Sequence, residues 1–408
     1  MDILFVVPYV PNLVRTRPYN LIRALADRGN RVTVLTVWTN DEEWQDLAAL
    51  REIAHDVVAV SLPLWKSVVN CLPALLSGAP LQSSFSWDVN LVSRFNAQSP
   101  FDVIHVEHLR GARYALYLKA HTDIPVVWDS VDCITHLFKQ AAAQSKSLVG
   151  RWRSRFELGR TERYEAMLLD KFDHILVTSR LDKEALQSLR PEVTAPISVI
   201  PNGVNLDYFR PDTAVSRHPH TLVVSGKMSY HANMSMVLHL VQNIMPLVWQ
   251  QRPEAKLLVV GKDPGRDIQA LAENPNVIVT GTVDALPPYL QQATVAVAPI
   301  TYGAGIQNKI LEAMSCGTPV VTAPQAVSAF ALEPGRDLLV ADSPTAYAQA
   351  ILAVLHDPQL QQRLGQNGRT YVEQHHHWPN VAARLETIYA EAIASTSREN
   401  RHPISSQQ

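Results

Sequence analysis

Residues 294–321 read TVAVAPITYGAGIQNKILEAMSCGTPVV. A β-branched run, TVAVAPI, leads into Gly303-Ala304-Gly305, and the apolar residues Ile306, Ile310, Leu311 and Met314 then recur at helical spacing. Gly317 closes that helix, and a second β-branched run follows. The order strand, glycine turn, helix, strand is one β-α-β unit, which requires parallel strands with helices packed against the sheet.

The same alternation extends in both directions. Upstream, TLVVSG, AKLLVVG and NVIVTG are strands separated by helix-length segments. The amino-terminal half repeats the pattern with ILFVV, RVTVLTV, DVIHV, IPVVW and HILVT. Between the halves, IPNGVNLDYFRP and the polar stretch after it supply linker chemistry. The fold class is therefore α/β, with two doubly wound Rossmann-like domains. One domain is expected at 1–205 and a second at 206–380. A closing helix at 381–395 is expected to pack back on the first domain, and a polar tail at 396–408 to be disordered. A chain of 408 residues is long enough for two such cores.

Composition excludes several classes. Hydrophobic residues make up 47% and charged ones 18%, as in ordinary globular enzymes. A net charge of −2 gives no global reason to bind nucleic acid. Cys71, Cys133 and Cys316 are widely spaced and odd in number, which fits a reducing compartment and neither a disulfide framework nor a zinc site. The start, MDILFVVPYVP, reads as a first strand and not as a signal peptide, and no apolar run reaches the roughly 18 residues of a membrane span. A cytoplasmic location is expected.

Ligands of open parallel sheets bind beyond the carboxyl ends of the strands. The turn at Gly303 and Gly305 lets backbone N–H groups approach an anion at a helix start. Asn308, Lys309 and Glu312 project from neighbouring positions of the helix that follows. As a bare pattern this fits a glycine-capped helix with a weak surface pair equally well, and Asn308 stands where a GxGxxG fingerprint needs its last glycine.

The whole string resembles the donor-site motif of glycosyltransferase family 4, whose second glutamate opens EAM-x-x-G-x-P-V-V; EAMSCGTPVV matches from Glu312. The resemblance implies a GT-B fold, with an acceptor-binding domain (1–205) and a nucleotide-sugar-binding domain (206–380) facing across a cleft, and transfer from a UDP- or GDP-linked sugar with retention of configuration. It implies no cofactor and no obligatory metal, and no two aspartates here are separated by one residue. Glu312 would hold the ribose hydroxyls, as a carboxylate can. The first glutamate of the motif is replaced by Ala304, so backbone amides at Gly303 and Gly305, or Gln307, would meet the donor sugar. Some bacterial members linked to exopolysaccharide assembly carry a similar GIQNK string.

Further strings agree in order and spacing. IPNGVNLDYFRP resembles the family's interdomain segment. Gly226-Lys227 occupies the position of a basic residue that contacts the donor diphosphate. A second basic residue usual six positions later is Asn233 here, so Lys309 would supply that charge. Gly261 and Leu286 fall where relatives shape the nucleobase pocket. In the first domain, Asp129 takes the position beside the reacting sugar, where it could orient or deprotonate an acceptor hydroxyl. Asp132, His105, Glu107 and His108 are alternatives, and a helix cap fits Asp129 as well. Arg15 and Arg17 replace a glycine pair usual in the first loop; they fit an anion contact or a solvated helix start.

The expected partners are a nucleotide-sugar donor and a lipid-linked or saccharide acceptor. Lys139, Lys146, Arg151, Arg153, Arg155 and Arg160 stand against Glu157 alone, and the apolar stretch VVNCLPALLSGAPL is too short to span a bilayer. Together they suggest peripheral contact with the inner face of the plasma membrane, against the plainer reading of a solvated helix face. A nucleotide-sugar epimerase and a non-catalytic partner subunit are the rival functions.

Overall fold

The computed structural model describes residues 1–12, 15–95, 101–144, 148–300, 307–328 and 330–399, with the backbone alone for those between 141 and 155. The chain forms two compact units, Met1–Pro201 with Trp378–Gln408, and Asn202–His377. The first crossing lies four residues before the expected boundary at 205. Backbone pairing explains this, because Val204 N donates to His376 O and residues 204 and 377 form a parallel bridge inside the second unit.

In the first unit the strands are β1 (Asp2–Val7), β2 (Arg31–Trp38), β3 (Asp56–Ser61), β4 (Val103–Glu107), β5 (Val126–Val131), β6 (His174–Val177) and β7 (Ile197–Val199). They pair in parallel in the order β3-β2-β1-β4-β5-β6-β7. Both faces are covered, which is why the central strands read as continuous apolar runs. Ile3, Phe5 and Val7 pack with Leu21, Leu25 and Tyr389 on one side, while Leu4 and Val6 pack with Leu109 and Tyr114 on the other. Tyr389 comes from the helix Trp378–Glu399, which belongs to this unit. That helix runs through residues 396–399, which the polar composition had suggested would be disordered; Thr396 Oγ1 and Ser397 Oγ satisfy themselves on carbonyls one turn back.

The helix Leu64–Ser77 has inverted amphipathicity. Ser67 and Ala74 face inward, while Trp65, Leu72 and Leu76 are 68%, 57% and 92% exposed. Arg160 caps its end by donating to the carbonyls of Ala74, Leu75 and Ala79. Lys139 pairs with Glu162. Two of the cations in the basic run are thus engaged within the protein. Lys146, Arg151, Arg153 and Arg155 have side chains outside the described residues.

The second unit has β8 (Thr221–Ser225), β9 (Lys256–Val260), β10 (Val277–Gly281), β11 (Val295–Ala298), β12 (Val320–Thr322) and β13 (Leu339–Val340), in the parallel order β10-β9-β8-β11-β12-β13. Chain order reverses between β8 and β11, as it does between β1 and β4 in the first unit. Such reversal points open a crevice at the carboxyl ends of the strands.

Candidate functional site

At the reversal point of the second sheet, β8 is followed by Gly226 and Lys227, and β9 by Gly261. The two glycines have φ of 149° and 151°, a region side chains rarely occupy. A Cβ on Gly261 would lie 1.7 Å from the Gly226 carbonyl oxygen, so the backbones themselves are in contact there. Gly261 is thus required by the packing of one strand end on the next.

The helix Asn308–Ser315 begins after β11, with Gln307 at its amino cap. Lys309 Nζ donates to Asn233 Oδ1 at 3.0 Å and to Gln307 Oε1 at 3.3 Å. Asn233 Nδ2 in turn donates to the Lys227 carbonyl at 2.9 Å. The structure therefore brings Gly226, Lys227, Gln307 and Lys309 together through Asn233, the position read from the sequence as a missing cation. The hydrogen-bond acceptors of the Lys309 ammonium are neutral amide oxygens, which orient it; the carboxyl that acts on its charge, Glu312, does so without a hydrogen bond. Lys227 Nζ is half-exposed and 3.9 Å from Asp263 Oδ2.

Glu312 lies one turn beyond Lys309. Burial pushes its carboxyl up to about 7, and Lys309 pulls it back. Burial likewise lowers the Lys309 ammonium from its usual value, against the opposing pull of Glu312. A cation held by neutral acceptors beside a glycine turn suits a phosphate, and a largely buried carboxyl close by suits a pair of hydroxyls. Leu286 stands two strands away, after β10, where it caps the helix Pro287–Gln292 and its N–H reaches the Tyr208 hydroxyl at 3.4 Å. Gly303, Ala304 and Gly305 lie outside the described residues.

The first unit treats its strand ends differently. Arg17, expected as an anion contact or a solvated residue, is buried and donates through Nε and Nη2 to Asp129 Oδ2 at 2.9 and 2.7 Å. Its Nη1 donates to the carbonyl of Ile200 at 3.0 Å. Asp129 Oδ1 accepts from Val131 N at 3.1 Å. With no exposed surface and both oxygens engaged, Asp129 is closed to an acceptor in this arrangement. Arg15 remains partly exposed, but its guanidinium meets Glu43 at 2.7 Å and lies over the Tyr9 ring.

Around this pair, His105 and Glu107 are also buried, and His108 and Asp132 are partly so. His105 accepts or donates at 2.8 Å with the Tyr389 hydroxyl, and burial lowers it to about 4. His108 is lowered to about 4, while Glu107 is raised to about 8 and Asp132 to about 7, each chiefly by burial. His108 and Val131 have φ of 66° and 68° at the ends of β4 and β5. A β-branched residue in that region is strained. No local sequence signal joins Arg17 to Asp129 or Tyr389 to His105, because each pair spans more than 100 residues.

Two sequence families match. The model described as Glycosyltransferase Family 4 covers residues 14–208, and that described as Glycosyl transferases group 1 covers residues 219–357. Among curated relatives, a putative glycosyltransferase, YtcC, of Bacillus subtilis is 23% identical over 76% of this chain and 77% of its own. A phosphatidyl-myo-inositol mannosyltransferase of Mycobacterium leprae is 24% identical over 98% and 99%. Among solved structures, sucrose-phosphate synthase from Thermosynechococcus elongatus superposes with a TM-score of 0.69 at 20% identity, covering 97% of this chain and all of that one. The HepE protein of Anabaena in complex with UDP-glucose gives 0.67 at 16%, covering 97% and 100%.

Proposed function

Because the chain belongs to the family 4 glycosyltransferases and has the GT-B fold, we propose that it transfers a sugar from a UDP- or GDP-linked donor to a lipid-linked or saccharide acceptor, with retention of configuration. The donor occupies the reversal point of the second sheet. One observation carries this: Lys309 is held by neutral oxygens, through Asn233, against the Gly226–Lys227 turn, which directs a positive charge to where a diphosphate would sit.

As the glycosidic bond breaks, negative charge grows on the departing diphosphate, and preoriented cations are most effective where water is scarce. Lys227 and Lys309 supply that charge, with the start of the helix Asn308–Ser315 behind them. We assign neutralisation to these groups without a metal or cofactor. Glu312 accepts the ribose hydroxyls. Gln307 and the backbone near Gly303, Ala304 and Gly305 face the sugar, while Gly261 and Leu286 border the base. Asp129 acts by holding the acceptor-side loops in place through Arg17. UDP and UDP-glucose bound to the HepE neighbour support the class of donor.

A role in polysaccharide or glycoconjugate assembly, with peripheral membrane contact, accompanies this reading. The outward apolar side of Leu64–Ser77 supports it. Among the described residues no helix is long and apolar enough to cross a membrane.

Thermal unfolding with a panel of nucleotides tests the donor site. UDP or GDP at about 100 times its dissociation constant stabilises by roughly 2.7 kcal/mol. Glu312→Ala should abolish that shift in a folded protein and lower kcat/KM about 100-fold, since it removes charge-assisted bonds to two hydroxyls. Unchanged kinetics in Glu312→Ala, or release of a free epimer without any acceptor, would overturn the proposal.

A further inference from the structure

The cationic side of the donor site is assembled by a neutral side chain. Asn233 is only 8% exposed and sits in the first turn of the helix His231–His239. Its Oδ1 receives the Lys309 ammonium at 3.0 Å, and its Nδ2 holds the Lys227 carbonyl at 2.9 Å. A Cβ on Gly226 would lie 2.7 Å from Nδ2, so the amide is pressed directly against the glycine turn.

We propose that Asn233 is a positioning residue for the diphosphate subsite, delivering the Lys309 charge to the Gly226–Lys227 turn in place of a cation of its own. This rests on the donor reading above. An amide suits the task where other residues fail. Aspartate would offer the same acceptor oxygen, but its charge would cancel the ammonium and its second oxygen would repel the Lys227 carbonyl. Lysine would bring charge of its own and compete with Lys309 for the same space. Asparagine accepts from the one and donates to the other, using opposite ends of a single planar group. Gln307 gives the ammonium a second neutral acceptor at 3.3 Å, which fixes its direction without neutralising it.

Three consequences are specific. Lys309→Met removes the charge, Asn233→Asp cancels it, and Asn233→Lys combined with Lys309→Met returns it from the other helix. Each acts on a terminal phosphate and not on the base or ribose. Binding of UDP and UMP, or of GDP and GMP if the protein prefers guanine, is measured by calorimetry on the full chain. The diphosphate-to-monophosphate affinity ratio should fall roughly tenfold in Lys309→Met and in Asn233→Asp, the worth of one charge-assisted contact. The double variant should regain that ratio to within about threefold, because the same charge is restored from 6 residues past Lys227. A merely structural asparagine would lower both affinities together and leave the ratio fixed.

Glu312→Ala separates the two levels of the proposal. If it weakens both nucleotides while Lys309→Met leaves the ratio unchanged, the role of Asn233 and Lys309 is overturned and the donor site stands. If Glu312→Ala leaves both affinities intact, the donor site itself is misplaced and this inference falls with it. If Lys309→Met lowers the ratio but the double variant does not restore it, Lys309 contacts the phosphate without interchange, and the delivery role of Asn233 is overturned.

Discussion

The two units share one architecture and use their strand ends in opposite ways. In the first, the polar groups at the strand ends are turned inward: Arg17, after β1, pairs with Asp129 in β5, and the neutral His105 in β4 bonds to Tyr389. This unit also exposes an apolar stripe, along Leu64–Ser77. In the second, Lys309 and Glu312 are partly buried but not sealed, and the hydrogen-bond acceptors of Lys309 are neutral. The same crevice can therefore serve as a clamp on its own loops or as a charged seat for a ligand. The deciding factor is whether the partner of each cation is a carboxylate or an amide.

The comparison breaks most visibly if the Arg17–Asp129 pair is removed. Arg17→Ala leaves a buried carboxylate without its counter-charge, which costs about 3–5 kcal/mol. Arg17→Met with Asp129→Leu should recover most of that loss, since neither charge is then stranded. Urea denaturation of the purified variants measures both. If Arg17→Ala were as stable as the parent yet inactive, the pair would face substrate and the two units would not differ in this way.

That pair also marks the limit of what the sequence discloses. The alternation of strands and helices was legible because β-branched runs such as ILFVV and TVAVAPI are bounded by glycine and proline. Lys227, Lys309 and Glu312 are candidates in the sequence because they sit at fixed offsets within two strings that resemble one family, and the structure joins the two lysines through Asn233. Asn233 was visible only as an absent cation, since its hydrogen bond to Lys309 joins residues 76 apart. For Arg17 the sequence offers an anion contact or a solvated helix start, and for Asp129 a substrate group or a helix cap; it offers no buried pair, because burial is a property of packing and nothing near either residue in the chain announces it. The same holds for residues 396–399, whose polar composition hides hydroxyls that bond within their own helix.

The second unit's openness should show as pH dependence. Glu312 must be ionised to accept hydroxyls, and in the free protein its carboxyl titrates at about 7. Donor affinity should thus be flat above that pH and fall below it, by up to about tenfold per unit. In the unliganded protein the raised value acts in the other direction. Stability from the neutral carboxyl is complete below its ordinary 4.5 and fades as pH rises through about 7. Glu312→Gln should flatten the acidic limb of nucleotide binding measured by calorimetry. An acidic limb that persists in that variant would place the titrating group elsewhere.

The first unit's apolar exposure predicts a smaller effect. Replacing Trp65 and Leu72 by serine removes two large side chains from the outward stripe and should weaken flotation with anionic liposomes roughly tenfold, since about 1 to 2 kcal/mol of apolar burial is lost. Stability should hold, because both side chains are already more than half exposed. No binding of the parent protein to such vesicles would remove the membrane contact from the proposed function.

The finest distinction lies inside the second unit, between its two lysines. Lys309 has neutral partners, whereas Lys227 Nζ stands 3.9 Å from Asp263, with both side chains more than half exposed. A pair that open to water contributes at most about 1 kcal/mol, so Asp263 restrains Lys227 only weakly. Asp263→Asn should leave thermal stability within about 0.5 kcal/mol, because asparagine tolerates the φ of 57° found there as well as aspartate does. It should also tighten UDP or GDP binding about twofold to threefold by releasing Lys227 and removing a nearby negative charge. The gain should vanish in 1 M salt, where the screening length falls to about 3 Å. Weaker nucleotide binding in Asp263→Asn would mean that the carboxylate orients Lys227 toward the phosphates, and then the two lysines would be held by opposite means for the same end.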